Sequence, residues 1–286
     1  MDLMYRALCL MLLLGLLAGV LPAQPELVGG SSTLPAPVNV DPLPPLLAQM
    51  QNPDPDVRIA ALERLAQQED LRRVVPPVLA AMQAGELRVR ITAVRAYRRF
   101  GARVDITPLL EVLRDPAPEL RLEAMLTLWM RYETETLPEA AGRAVLAAAR
   151  DPNDAVRYYA VDRLRYLPGR EAERALLAAV GDASVGVRLR AVSLLADAPV
   201  LNFEPAAMDA LLPALRDDNA GVRVAAAGAL GRCRDVRATA PLLDALRDDD
   251  PYVRAAVVRA LGTRRDARIT EALRRAAGDT DPLVRA

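Results

Sequence analysis

One pattern recurs through most of this 286-residue chain: an apolar residue followed by Arg, then Ala three positions after that Arg and Leu four beyond. The pairs are Val57-Arg58, Val89-Arg90, Leu120-Arg121, Val156-Arg157, Val187-Arg188, Val222-Arg223, Val253-Arg254 and Val284-Arg285, at steps of 32, 31, 36, 31, 35, 31 and 31 residues. Self-similarity at so short a period predicts units that cannot bury a core alone and must stack on their neighbours. The apolar mass is mostly Ala, Leu and Val, with aromatics only 3% of the chain. That mixture favours closely packed helices.

Take the apolar residue of each pair as position zero and advance about 100° per residue. Positions 0, 4, 5 and 8 then share one stripe, as in Val253, Val257, Val258 and Leu261, or Val156, Ala160, Val161 and Leu164. Position 4 is Ala in six of seven complete units (Ala61, Ala93, Ala124, Ala160, Ala191 and Ala226), as expected where helices cross closely. Three residues before zero stand Asp54, Asn153, Ser184, Asn219, Asp250 and Asp281, all good N-caps for a helix beginning there. Pro55, Pro251 and Pro282 follow three of them and suit the first helical position.

Five residues before zero stand Asp115, Asp151, Asp182, Asp217, Asp248 and Asp279, with Asn52 in the first unit. The Arg at position 1 falls within the apolar stripe, where an unpaired guanidinium is costly and needs a carboxylate. The spacing therefore predicts a ladder along the seams between units, formed by Arg58, Arg90, Arg121, Arg157, Arg188, Arg223 and Arg254 with the recurring aspartates. The second unit departs from the pattern, with Ala84 in the Asp position and Glu86 at the cap, which predicts a weaker seam.

Asp, then Val-Arg five residues on, then an Ala-rich helix resembles HEAT repeats, particularly the short variety of phycobilin lyases. The resemblance covers residues 42–286 and implies an all-α, right-handed solenoid of stacked antiparallel helix pairs, about seven full units and a partial eighth. In that family the motif residues are structural and do not specify a function. Two units are longer, with inserts around Arg131 to Glu139 and Ala198 to Glu204. The sequence stops at Ala286 as the eighth unit's second helix begins, leaving an end expected to be truncated or covered by another chain.

Residues 1–23 read as a secretory signal. Arg6 precedes an almost unbroken apolar run from Ala7 to Leu21, closed by Pro22-Ala23-Gln24; the run is shorter than the ~20 residues that span a bilayer. Cleavage is expected after Ala23, and the alternative is an uncleaved membrane anchor. Cys9 opens the run, whereas a lipoprotein cysteine would follow it. Residues 24–41, rich in Pro, Gly and Ser, read as an extended linker. The reading places the folded body in the periplasm or outside the cell, leaving Cys233 as its one cysteine.

Net charge is zero, from 37 basic and 37 acidic residues, so no overall field favours nucleic acid. Histidine is absent, which removes the commonest general base and metal ligand near neutral pH, and two cysteines do not make a structural zinc site. No cofactor or metal site is expected. The runs Asp217-Asp218 and Asp248-Asp249-Asp250 suit calcium in principle, but the seam and the caps already use these positions. Arg232 and Arg234 flank Cys233, a setting that can lower a thiol pKa, although a structural thiol is the simpler reading.

In HEAT-like solenoids the second helices line the concave face, so positions 2, 3, 6 and 10 are those a partner would meet. Most units place small or charged residues there. Units three and four instead offer Leu122, Leu126, Met130, Tyr158, Tyr159 and Tyr166, with Trp129 at the edge, Asp162 among them and Arg95 and Arg99 alongside. Trp, Tyr and Arg dominate binding hot spots, so this is the candidate site for another protein. The same side chains are equally suited to packing against the first insert or neighbouring helices.

The leading expectation is a non-catalytic scaffold. Self-assembly through the C-terminal repeat is the structural alternative. An enzyme is the other: deoxyhypusine hydroxylases resemble the fold but bind iron through His-Glu pairs, which this chain lacks. Phycobilin lyases act on cytoplasmic substrates. HEAT-like DNA glycosylases use aromatic and acidic residues on a basic face that the net charge does not provide.

Overall fold

A computed structural model of the chain describes residues 41–83, 85–132, 137–197, 205–233, 235–264 and 266–285. The signal segment, nearly all of the linker, Ala84, part of the first insert (133–136) and all of the second (198–204) lie outside the described residues. Pro42–Ala286 forms one unit by its internal contacts. Among the described residues no strand occurs, and no helix is long and apolar enough to cross a membrane.

Sixteen α-helices alternate along the described residues. The first helices of the units are α1 (Leu43–Gln49), α3 (Leu71–Gln83), α5 (Thr107–Val112), α7 (Glu139–Ala148), α9 (Arg170–Ala179), α11 (Pro205–Ala214), α13 (Thr239–Ala245) and α15 (Ala267–Ala276). The second helices are α2 (Pro55–Leu65), α4 (Leu87–Arg99), α6 (Pro118–Arg131), α8 (Asp154–Leu164), α10 (Val185–Asp197), α12 (Ala220–Arg232), α14 (Pro251–Gly262) and α16 (Pro282–Arg285). In the first seven units each packs on its partner, and the second helices also stack on one another from α2 to α16 more closely than the first helices do.

The stripe positions make the core. Val156, Ala160 and Val161 are fully buried, as are Val222, Ala226 and Leu230, and Val253, Val257 and Leu261; each buried Val or Leu contributes about 1.5–3 kcal/mol. Position 8 of the second unit is Tyr97, whose hydroxyl donates to the Asp105 carbonyl at 2.6 Å. Asp54, Asn153, Asn219, Asp250 and Asp281 each accept a backbone N–H at the start of a second helix, over 2.8 to 3.3 Å. Ser184 differs from the expected cap: its hydroxyl donates across the seam to Asp154 Oδ2 at 3.2 Å.

Every seam from the second unit onward carries an Arg–Asp pair. Each Arg reaches forward to the next unit's Asp: Arg121 to Asp151, Arg157 to Asp182, Arg188 to Asp217, Arg223 to Asp248 and Arg254 to Asp279, each through two N–H donors at 2.7 to 2.9 Å. Arg90 pairs with Asp115 through Nη2 alone and gives its Nε–H to the Met82 carbonyl. The third guanidinium nitrogen of Arg157 holds its own loop through the carbonyls of Asp151 and Pro152, at 2.9 and 3.1 Å. Each Asp also accepts the N–H two residues on, as Asp182 does from Ser184 at 2.8 Å. One rung thus ties two loops and one helix start together.

Candidate functional site

A second polar system, absent from the repeat pattern, runs across the second-helix row from α4 to α10. Glu123 of α6 is buried and accepts from Arg98 Nη1 at 2.9 Å, with Arg95 Nε at 3.1 Å. One unit further, Asp162 of α8 is 5% exposed and accepts from Trp129 Nε1 of α6 at 2.7 Å, from Arg163 Nη2 at 2.9 Å and from Arg190 of α10. Burial pushes the Asp162 carboxyl up, but its bonds from Arg163, Arg190 and Trp129 prevail and hold it below the usual range.

This corrects the expectation for Asp162. It does not face a partner, because three donors enclose it and α10 covers it. Trp129 is half-buried with its indole N–H committed inward. Arg163, 2% exposed, lies over the rings of Trp129 and Tyr166 at 5.4 and 4.5 Å and donates to the Tyr132 carbonyl at 2.8 Å. Tyr166 is therefore part of the same support.

What remains outward is a smaller ledge. Met130 is 55% exposed and Tyr158 37%. Tyr158 stands edge-on to Tyr159, ring centroids 5.3 Å apart, and Tyr159 stands edge-on to Trp129 at 6.4 Å. Gly186 of the next unit lies beside Tyr158, a Cβ there falling 3.9 Å from its ring. Leu122 and Tyr159 are half-buried and pack against the core, and Leu126 is half-buried. Arg95 and Arg99 are exposed. Each buried carboxylate is shared by two guanidiniums.

Sequence reasoning missed Glu123, Arg98, Arg163 and Arg190, and it missed a set of arginines near the ends of second helices that reach backward. Arg131 donates to the Val104 carbonyl at 2.6 Å, Arg232 to Ala196 at 2.8 Å and Arg264 to Leu230 at 2.8 Å. Cations at the carbonyl end of a helix satisfy orphan acceptors and oppose the dipole. The signal was there: Arg131, Arg232 and Arg264 stand 10 or 11 residues after position zero in three units.

Farther along the same face, α12 and α14 enclose a hollow of about 1090 Å³ lined by Val224, Gly228, Gly231, Arg232, Arg259 and Arg264 among others. Cys233 at its floor is buried, its Sγ 3.4 Å from Met208 Sδ. Asp217 and Asp248 belong to the ladder and Asp250 to a cap, and among the described residues no cluster has an arrangement that could hold a metal ion.

A family model described as HEAT repeats matches residues 43–129, 187–251 and 239–286. No curated protein matches the sequence. Among solved structures, YibA from Escherichia coli is similar with a TM-score of 0.52 at 16% identity, over 78% of this chain and 80% of that one. Kap95 in a complex with Nup1 gives 0.58 at 15% identity over 84% of this chain, which spans 39% of Kap95. An engineered protein gives 0.51 at 18% identity, over 84% of this chain and 74% of that one. At these identities the likeness is one of fold.

Proposed function

This chain belongs to the HEAT repeat family, and from that premise we propose that it is a non-catalytic scaffold that binds another protein on its second-helix face. The observation that carries the reading is the ledge of Tyr158, Tyr159 and Met130, set rigid by the Asp162 hub beneath it. Rigid aromatic anchors lose little entropy on binding. The partner that fits presents an apolar plug to the ledge and acidic side chains to the surrounding arginines, Arg95 and Arg99 among them. Kap95, seen holding Nup1, supports the reading as a HEAT array occupied by another protein.

We place this activity in the periplasm or cell envelope, on the strength of the apolar run after Arg6. The test of that location is N-terminal sequencing of the chain recovered from fractionated cells. A start at Gln24 in the envelope fraction supports it, and an intact Met1 in the cytosol overturns it.

The test of the scaffold is affinity capture from envelope extract by the parent and by a Met130→Ala, Tyr158→Ala variant with unchanged helical circular dichroism. Trp129 is left intact because it holds the hub. A protein captured by the parent, lost from the variant and bound about tenfold more weakly by it when purified supports the ledge as a hot spot. Capture of the same set by both, or of nothing by either, sinks the reading.

A further inference from the structure

We propose that the seam between the first and second units is a carboxylate-binding site, in which Arg58 presents a fork that this chain's own aspartates occupy at every other seam described.

Arg58 is set in the same pose as its counterparts. Its Nη1 donates to the carbonyls of Asn52 and Pro53 at 2.6 and 2.8 Å, just as Arg157 donates to Asp151 and Pro152 and Arg223 to Asp217 and Asp218. At the other rungs the same Nη1 grip accompanies Nε and Nη2 donating across the seam, as in Arg157 and Arg223. In five other units those two donors meet a carboxylate in a bidentate pair, and in a sixth Nη2 meets one alone. The second unit has Ala84 in the Asp position, and among the described residues no carboxylate pairs with Arg58. The side-chain ion pair found across this seam, Arg88 to Asp56 at 3.1 Å, lies on the exposed surface.

Space accompanies the missing acid. A groove of about 410 Å³ opens at Arg58, walled by Met50, Pro77, Ala80, Ala81 and Val89, with Gly85 at its edge. Arg58 is the one charged residue among the described residues of its lining. The equivalent groove at Arg223 is lined by five aspartates and three arginines, so its guanidinium already has carboxylates at hand, Asp248 among them. A single fixed guanidinium in an otherwise uncharged, largely apolar groove selects a carboxylate on a short aliphatic stem, which is what an aspartate offers at the other rungs. Planar forks bind carboxylates in two parallel bonds. The site lies apart from the aromatic ledge, so it does not depend on the scaffold reading.

The test uses the full chain with two probes at constant ionic strength. One is succinate. The other is acetyl-Asp-Pro-Asn-Asp-amide, which copies residues 151–154 of this chain. Binding is followed by calorimetry and by the Nε–H resonance of Arg58. The expected result is binding to the parent that weakens about tenfold or more in Arg58→Gln, the scale of losing a charge-assisted bond. Ala84→Asp supplies the missing rung from within the chain, so it should abolish binding and raise the Tm with no probe added. Binding of the peptide alone assigns the natural ligand to an acidic side chain of a protein, and equal binding of succinate assigns it to a free carboxylate. No binding by either probe, or equal binding to the parent and both variants, overturns the proposal.

Discussion

Arg157 of the fourth unit closes on Asp182 of the fifth with both arms of its guanidinium, Nε to Oδ2 at 2.8 Å and Nη2 to Oδ1 at 2.7 Å. Both side chains are largely buried, 14% and 13% exposed, so water compensates little for a lost partner. Arg157→Ala would leave Asp182 with only a backbone N–H, at a cost of about 3 kcal/mol, the scale for breaking a buried pair. Because stability in such an array is a sum over units and seams, denaturant melting should also divide into two steps. Arg58→Ala is the control and should cost far less, since it orphans no carboxylate. Equal losses for the two would show that the rungs contribute no pairing energy.

The ladder sets the pH response. Burial pushes the carboxyls of Asp151, Asp182 and Asp248 up, but the facing guanidinium and a backbone N–H hold them below the usual range; at Asp217 and Asp279 the guanidinium is the leading cause, taking Asp279 to about 2. A carboxyl depressed on folding contributes stability that is fully present above its unfolded pKa, about 3.9, and is lost as pH falls through the folded value. With no histidine in the chain, stability should be flat from about pH 5 to 8 and fall steeply below about pH 4. Melting temperatures across that range check it, and a marked step near pH 6.5 would contradict it.

The array and the recurrence of Asp and Arg were legible in the sequence because each position repeats in register. The spacing did not state which aspartate each Arg would meet. Arg157 is nearer in sequence to Asp151 than to Asp182, yet it takes the carbonyl of the first and the carboxylate of the second. The hub was illegible for a different reason. Asp162, Trp129 and Arg190 occupy different positions in three units, so no repeat reinforces them. Periodicity assigns a residue to a face of its own helix and says nothing of how far the next helix overlaps that face. Asp162 points away from its own stripe and is covered by α10 all the same.

Asp162→Ala tests the hub. It would leave Arg163 and Arg190 without their shared carboxylate and the Trp129 indole N–H without an acceptor, a loss of about 3–5 kcal/mol. Trp129 is the only tryptophan, so its emission reports the site directly and should shift to longer wavelength as water enters. Tyr158→Ala, at the exposed end of the ledge, should leave both stability and emission nearly unchanged. Unaltered fluorescence in Asp162→Ala would mean that the indole is not held by this carboxylate.

Two glycines of α12 separate close packing from open surface on one helix. A Cβ on Gly231 would fall 2.7 Å from the Cβ of Ala260 and 2.8 Å from its Cα, so α12 and α14 cross there at a distance only glycine permits. A Cβ on Gly228 meets nothing within 4 Å. Gly231→Ala must push α14 away and should destabilise by about 1–3 kcal/mol, the cost of overpacking. Gly228→Ala adds a methyl to open space and removes backbone freedom from the unfolded chain, so it should stabilise by about 0.5–1 kcal/mol. The pair differs only in what the added methyl meets, because both residues lie within the same helix and both gain the same helix propensity. Chemical denaturation of the two variants measures the difference, and shifts of the same sign would show that the helices do not cross at Gly231 as closely as described.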